Sequence, residues 1–237
     1  MTGLTLVHLY PREMNIYGDT GNVLVLRKRL AWRGLTATVV PVSVGDPLPT
    51  DADILLGGGG QDATQGDIGA DFVSRAATLR AMADDGVVML GICGTYQLFG
   101  HEFLTKDGRR IAGTGVLDVT TTGSDTRLIG NNHVDSPWGR LVGFENHSGL
   151  TRLGTAVEPL GRTLTGRGNN GEDATEGAVR GNVFGTYLHG PVLAKSPGFA
   201  DELLRRAFDR RGDPVELAPL DDSLALAAAE VAVGRPR

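Results

Sequence analysis

Two short apolar runs in this 237-residue chain each end in glycine. Asp53-Ile54-Leu55-Leu56 runs into Gly57-Gly58-Gly59-Gly60, and Val87-Val88-Met89-Leu90 runs into Gly91-Ile92-Cys93-Gly94. A brief apolar, β-prone run bounded by turn residues reads as a buried strand. Two further strands are predicted at Leu4–Tyr10 and Thr38–Val44. Between them, Gly21–Gly34 reads as a helix through Leu24, Leu26, Leu30 and Ala31, with Gly34 placed to end it. Ala70–Asp85 reads as one long helix, with Phe72, Val73, Ala76, Leu79, Met82 and Ala83 on its apolar side and Gly86 closing it. Strands alternating with helices in this way predict an α/β fold of three layers, a mostly parallel sheet with helices on both faces.

From about residue 110 glycines become frequent and short β-prone pieces appear, at 115–121, 141–144, 177–179 and 182–188. The polar, glycine-rich stretch GRTLTGRGNNGEDATEG, 161–177, reads as a loop or hairpin. Phe199–Arg211 and Asp221–Val233 read as helices separated by Pro214 and Pro219. No repeat or linker divides the chain, so residues 1–237 are expected to form one domain.

The composition, 41% hydrophobic and 22% charged, suits a globular protein. No run approaches the ~18 apolar residues of a membrane span. MTGLTLVHLYPRE lacks the features of a signal peptide. A single cysteine cannot form an internal disulfide, so a cytoplasmic location is expected. A formal net charge of -5 gives no reason to expect nucleic-acid binding. The clusters Arg27-Lys28-Arg29, Arg205-Arg206 and Arg210-Arg211 read as solvated helix faces.

That single cysteine, Cys93, sits where a strand turns sharply into a helix between small residues, the setting of a nucleophile elbow. In an open parallel sheet, ligands bind beyond the carboxyl ends of the strands, where both glycine turns lie. A helix N-terminus behind Cys93 favours a thiolate. The N–H of Gly94 can face the oxygen of a tetrahedral intermediate, and the 57–60 turn can supply a second donor. The competing reading is a small buried hydrophobe. For the base, five histidines are available. His8 falls within a strand and reads as structural, and His101 and His133 have no supporting context. His147 lies in a polar turn able to line a site. His189 follows the strand Val183–Leu188 and precedes Gly190-Pro191, which makes it the expected base.

GICGTYQ around Cys93 resembles the nucleophile motif of class I glutamine amidotransferases, and YLHGP around His189 resembles the histidine motif of their cobyric-acid-synthase-like branch. MNIYGDTGN (14–22), GGGQDATQ (58–65) and FENHSG (144–149) are similar to the glutaminase subunits of the enzymes that amidate lipid II in cell-wall synthesis. The resemblance spans roughly residues 5–200 and implies a flavodoxin-like sheet, glutamine as substrate, and no cofactor or metal. It also implies a Mur-ligase-like, ATP-dependent partner of the MurT type in a heterodimer. Within it, Cys93 would form a γ-glutamyl thioester, with His189 moving the protons. Gln97 and Arg127 would contact the amino-acid end of glutamine, the guanidinium suiting its α-carboxylate. Gly59 and Gly94 would be the oxyanion donors. The alternatives are a glutaminase for corrinoid amidation, a lone hydrolase of γ-glutamyl peptides, and a binding module without turnover.

Many class I glutaminases carry His-x-Glu, but here the motif reads His189-Gly190-Pro191, with no acid to orient the imidazole. Glu145 is one candidate for the missing acid. A carboxylate from the partner subunit is the preferred expectation.

Overall fold

The computed structural model describes residues 3–60 and 62–235. Gln61, in the GGGQDATQ motif, lies outside the described residues. In chain order the first half runs β1 (Gly3–Leu9), α1 (Thr20–Ala31), β2 (Thr36–Val42), β3 (Ile54–Gly57), α2 (Asp62–Ser74), α3 (Ala76–Asp84), β4 (Val88–Ile92) and α4 (Gly94–Phe99). Then follow β5 (Glu102–Leu104), β6 (Arg110–Ala112), β7 (Val119–Ser136), β8 (Gly139–Leu153), β9 (Gly161–Thr165), β10 (Thr175–Glu176), β11 (Ala178–Arg180) and β12 (Val183–Thr186). Three helices close the chain: α5 (Val192–Lys195), α6 (Pro197–Arg210) and α7 (Ser223–Gly234).

The predicted α/β fold is present. Its main sheet has the order β11-β12-β4-β3-β1-β2. All neighbours in it are parallel except β11 against β12. Leu6, Val7, Ile54, Leu55, Met89 and Leu90 are all fully buried. Continuous apolar runs, rather than alternating ones, are what a parallel sheet requires.

Register explains three glycines. Gly57 pairs with Gly91, and Gly91 pairs with Gly185, so a row of glycines crosses β3, β4 and β12. Helix α4 presses on that row. A Cβ at Gly185 would lie 2.0 Å from Tyr96, one at Gly57 2.5 Å from Thr95, and one at Gly91 2.8 Å from Phe99. The absent side chains let the helix that begins at the cysteine lie directly on the sheet.

Two sequence expectations need correction. The single helix over 70–85 is two helices, α2 and α3, broken at Arg75. The buried Arg75 side chain turns back to Asp71, donating from Nε at 2.7 Å, while Asp71 also accepts from Tyr10 Oη at 2.6 Å. The glycine-rich second half forms a second sheet, β10-β9-β7-β5-β6, with β8 also paired to β7. β7 and β8 form its long antiparallel hairpin. The stretch 161–177, read as a loop or hairpin, is a hairpin of β9 and β10 paired antiparallel. Polar β-strands interrupted by glycine leave little periodicity to read, and cross-strand pairing decides their structure. An antiparallel bridge between Phe144 of β8 and His189 joins this sheet to the end of β12.

Candidate active site

Cys93 stands between β4 and α4 at φ 50°, ψ −103°. This is a strained conformation for a residue with a Cβ, of the kind that persists where the surroundings enforce it. Its N–H donates to Thr186 O on the neighbouring strand at 2.8 Å, and its carbonyl accepts from Gln97 N at 2.9 Å. The 57–60 turn packs against the elbow, with Gly58 O accepting from Thr95 Oγ1 at 2.8 Å. The cysteine is largely buried, at 7% exposure. The sharp positive-φ turn, rather than burial alone, separates it from an ordinary core thiol.

His189 is fully buried and faces this elbow. Its N–H donates to Phe144 O at 2.8 Å, which anchors the residue across the two sheets. The ring of Tyr17 meets the imidazole edge-on at 4.5 Å, and Phe144 packs at 5.6 Å. A carboxylate of this chain reaches the imidazole. Asp19 Oδ1 lies 3.4 Å from His189 Nδ1, and both groups are shielded from solvent. Burial acts to lower the pKa of His189. Hydrogen bonds and charge from Asp19 and Cys93 outweigh it and raise the value to about 9. Asp19 belongs to MNIYGDTGN and directly precedes α1, an acidic residue at a helix start, which is the one local signal that marked it.

Glu145, the in-chain candidate, binds other groups with its carboxylate. Its carboxylate accepts from the N–H groups of Arg167 at 2.7 Å and Gly168 at 2.9 Å, and from Asn132 Nδ2. A partner-supplied acid is not needed to place a carboxylate at Nδ1, because Asp19 is already there.

Gly59 sits at the centre of this group. A Cβ on it would fall 2.8 Å from His189 Cε1, 3.2 Å from Cys93 Cβ and 3.4 Å from Asp19 Oδ2. Its N–H donates to Asp19 Oδ2 at 2.8 Å, so the expected role of Gly59 as oxyanion donor does not match this geometry. Among the described residues the N–H groups of Gly60 and Gly94 make no hydrogen bond.

Gln97 is buried on α4 beneath the elbow and donates from Nε2 to Tyr187 Oη at 3.1 Å. Arg127 is an exposed residue of β7. Its guanidinium donates to the side chain and the carbonyl of Asn146, in FENHSG. The register of β7 on β8 shifts between Gly123 and Leu128, beside Arg127. His147 stacks on Tyr187 at 3.5 Å and shares a hydrogen with Gly149 O at 2.7 Å. Burial pushes its pKa down to about 4, so it is a neutral packing group near the site. His8 is buried in β1 as expected, and its pKa is lowered by burial. His101 pairs with Asp118 at 2.9 Å on the surface. No cluster of metal-ligating side chains occurs among the described residues.

A thiol on an elbow, an imidazole held by a carboxylate and the unengaged N–H of Gly94 beside the thiol form a constellation suited to acyl transfer through a covalent intermediate. Residues 5–197 match the model of the CobB/CobQ-like glutamine amidotransferase domain. The chain is 37% identical over 239 residues to the lipid II isoglutaminyl synthase (glutamine-hydrolyzing) subunit GatD of Staphylococcus aureus (strain N315), covering 99% of this chain and 97% of that protein. It is 36% identical to the GatD subunit of Streptococcus pneumoniae (strain ATCC BAA-255 / R6), covering 96% of this chain and 89% of that one. Among solved structures, a crystal structure of a glutamine amidotransferase superposes with a TM-score of 0.58 at 18% identity, over 85% of this chain and 98% of the other, and shows the shared fold.

Proposed function

The chain belongs to the CobB/CobQ-like glutamine amidotransferases, and we propose that within that family it is the glutaminase subunit of a lipid II isoglutaminyl synthase. The observation that carries this reading is its end-to-end correspondence with two GatD subunits. Among the described residues no helix is long and apolar enough to cross a membrane.

In the proposed reaction the Cys93 sulfur attacks the side-chain amide carbon of glutamine, and His189 takes the thiol proton. The oxygen of the tetrahedral intermediate is met by the N–H groups of Gly94 and Gly60. Collapse breaks the C–N bond, His189 returns the proton to the nitrogen, and ammonia leaves. A water molecule, deprotonated by His189, then hydrolyses the γ-glutamyl thioester to glutamate and regenerates the thiol. Asp19 fixes the tautomer of His189 and stabilises the imidazolium. Arg127 meets the α-carboxylate of glutamine, and Gln97 borders the amino-acid end. Ammonia passes to a Mur-ligase-like, MurT-type subunit, which uses ATP to amidate the D-glutamate of lipid II.

Reconstitution tests the reading. The chain, the Mur-ligase-like subunit, ATP, glutamine and lipid II should together give amidated lipid II by mass spectrometry. Cys93→Ser should block amidation from glutamine but not from added ammonium. Unmodified lipid II in the complete mixture, with active ligase, would overturn the acceptor assignment.

A further inference from the structure

Behind the Cys93–His189 pair lies a second set of buried groups that the reaction does not use. Glu176, the last residue of β10, is fully buried. Its Oε1 accepts from Thr186 Oγ1 at 2.6 Å and from Tyr187 N at 2.7 Å. Its Oε2 accepts from Asn132 Nδ2 at 3.2 Å, and the same amide donates to Glu145 Oε2 at 2.9 Å. Thr186 is the common element. Its carbonyl takes the elbow N–H of Cys93 at 2.8 Å, and its hydroxyl accepts from Leu188 N at 3.1 Å. Three residues after Thr186, His189 is bonded to Phe144, the neighbour of Glu145. One carboxyl group thus grips the segment that holds the nucleophile from one side and carries the base on the other.

We propose that Glu176 is a positioning residue that sets the spacing of Cys93 and His189 by fixing Thr186 and Tyr187 at the end of β12. The inference rests on the glutaminase reading for its kinetic readout. Among the described residues no cation pairs with Glu176. Burial and the nearby Glu145 raise its pKa to about 7, which supports a carboxyl group whose Oε1 keeps its two contacts, to Thr186 and Tyr187, when the group is protonated. Placement, rather than charge, is then what Glu176 contributes. A glutamine side chain has the same shape and keeps an oxygen for Thr186 and Tyr187.

The test compares Glu176→Ala, Glu176→Gln and Thr186→Val in the full chain. Glutamine hydrolysis, thermal unfolding and NMR titration of the His189 imidazole are measured for each. Displacing reacting groups by about 1 Å costs on the order of 10²-fold, so Glu176→Ala should lower kcat by about that factor with KM within about twofold. Thr186→Val cuts one of the two bonds to Glu176 Oε1, together with the acceptor for Leu188 N, and keeps the Cys93 contact, so it should lower kcat by about tenfold. Glu176→Gln should stay within about threefold of the parent. In Glu176→Ala the His189 titration should move from about 9 toward the ordinary histidine value, because the ring loses its register with Asp19 and Cys93. If Glu176→Ala does not fold, Thr186→Val carries the test. Unchanged kcat in a folded Ala or Val variant, a loss confined to KM, or equal damage from Gln and Ala would each overturn the proposal. A parent chain that does not hydrolyse glutamine would defeat the glutaminase reading instead. The His189 titration would still decide whether Glu176 positions the ring.

Discussion

Asp19 Oδ2 accepts the backbone N–H of Gly59 at 2.8 Å, while Asp19 Oδ1 faces His189 Nδ1 at 3.4 Å. One carboxylate therefore ties the glycine turn after β3 to the imidazole after β12. In the proposed reaction, the turn holds the acid that holds the base.

Asp19→Asn should lower kcat for glutamine hydrolysis by about 10²–10⁴-fold with little change in KM, since an amide can select the wrong tautomer. Removing this charge should also lower the pKa of His189, so its titration moves to lower pH. Steady-state kinetics and NMR titration report both effects. Parental turnover would return the orienting acid to a partner subunit.

Cys93→Ser should abolish ammonia release and leave the unfolding temperature nearly unchanged. Serine is close in size, but its hydroxyl is far less acidic than a thiol. Retained hydrolysis would remove Cys93 from the mechanism. Collapse of the fold would favour the buried-hydrophobe reading.

Gly59→Ala should disable the site through a single methyl group. The added Cβ, 2.8 Å from His189 Cε1, must push the imidazole or the turn aside. Overpacking of this kind costs about 1–3 kcal/mol of stability, and a displacement near 1 Å costs on the order of 10²-fold in rate. Ammonia release and calorimetry check the two figures. Activity at the parental level would show that the turn yields freely.

Arg127→Ala should weaken glutamine capture. A lost charge-assisted contact is worth ~1.5–3 kcal/mol, a drop of about one to two orders of magnitude in kcat/KM. Unchanged kinetics would leave Arg127 as an exposed strand residue bonded to Asn146.

Stability should fall as pH rises through neutrality. The folded-state pKa of Glu176, about 7, lies above its ordinary value of 4.5. The folded state therefore binds more protons than the unfolded one across that interval. The contribution is fully present below about 4.5 and is lost as pH climbs through about 7. Glu145 and Tyr96 are the titratable groups whose charge acts on or feels this carboxyl. Glu176→Gln should flatten this part of the profile in urea unfolding, and an unchanged slope would assign it to other groups.

The parts of this protein whose physics is local are readable from its residues alone. Apolar runs ending in glycine gave strands that stop at turns, and the G-x-C-G pattern placed Cys93 on an elbow. His189 was legible as a polar residue delivered at a strand end. Asp19 was written in the sequence but not assignable, because 170 residues separate it from His189. Only the adjacency of β1, β3, β4 and β12 in the sheet brings the two together. The same holds for Glu145, which has the right chemistry but points to residues 167 and 168. It holds for Gly59, whose N–H is engaged by an acid forty positions earlier. Parallel sheets pair strands that are distant in sequence, so which side chains meet at their carboxyl ends is fixed by strand order and register. Neither is encoded in any short window of residues.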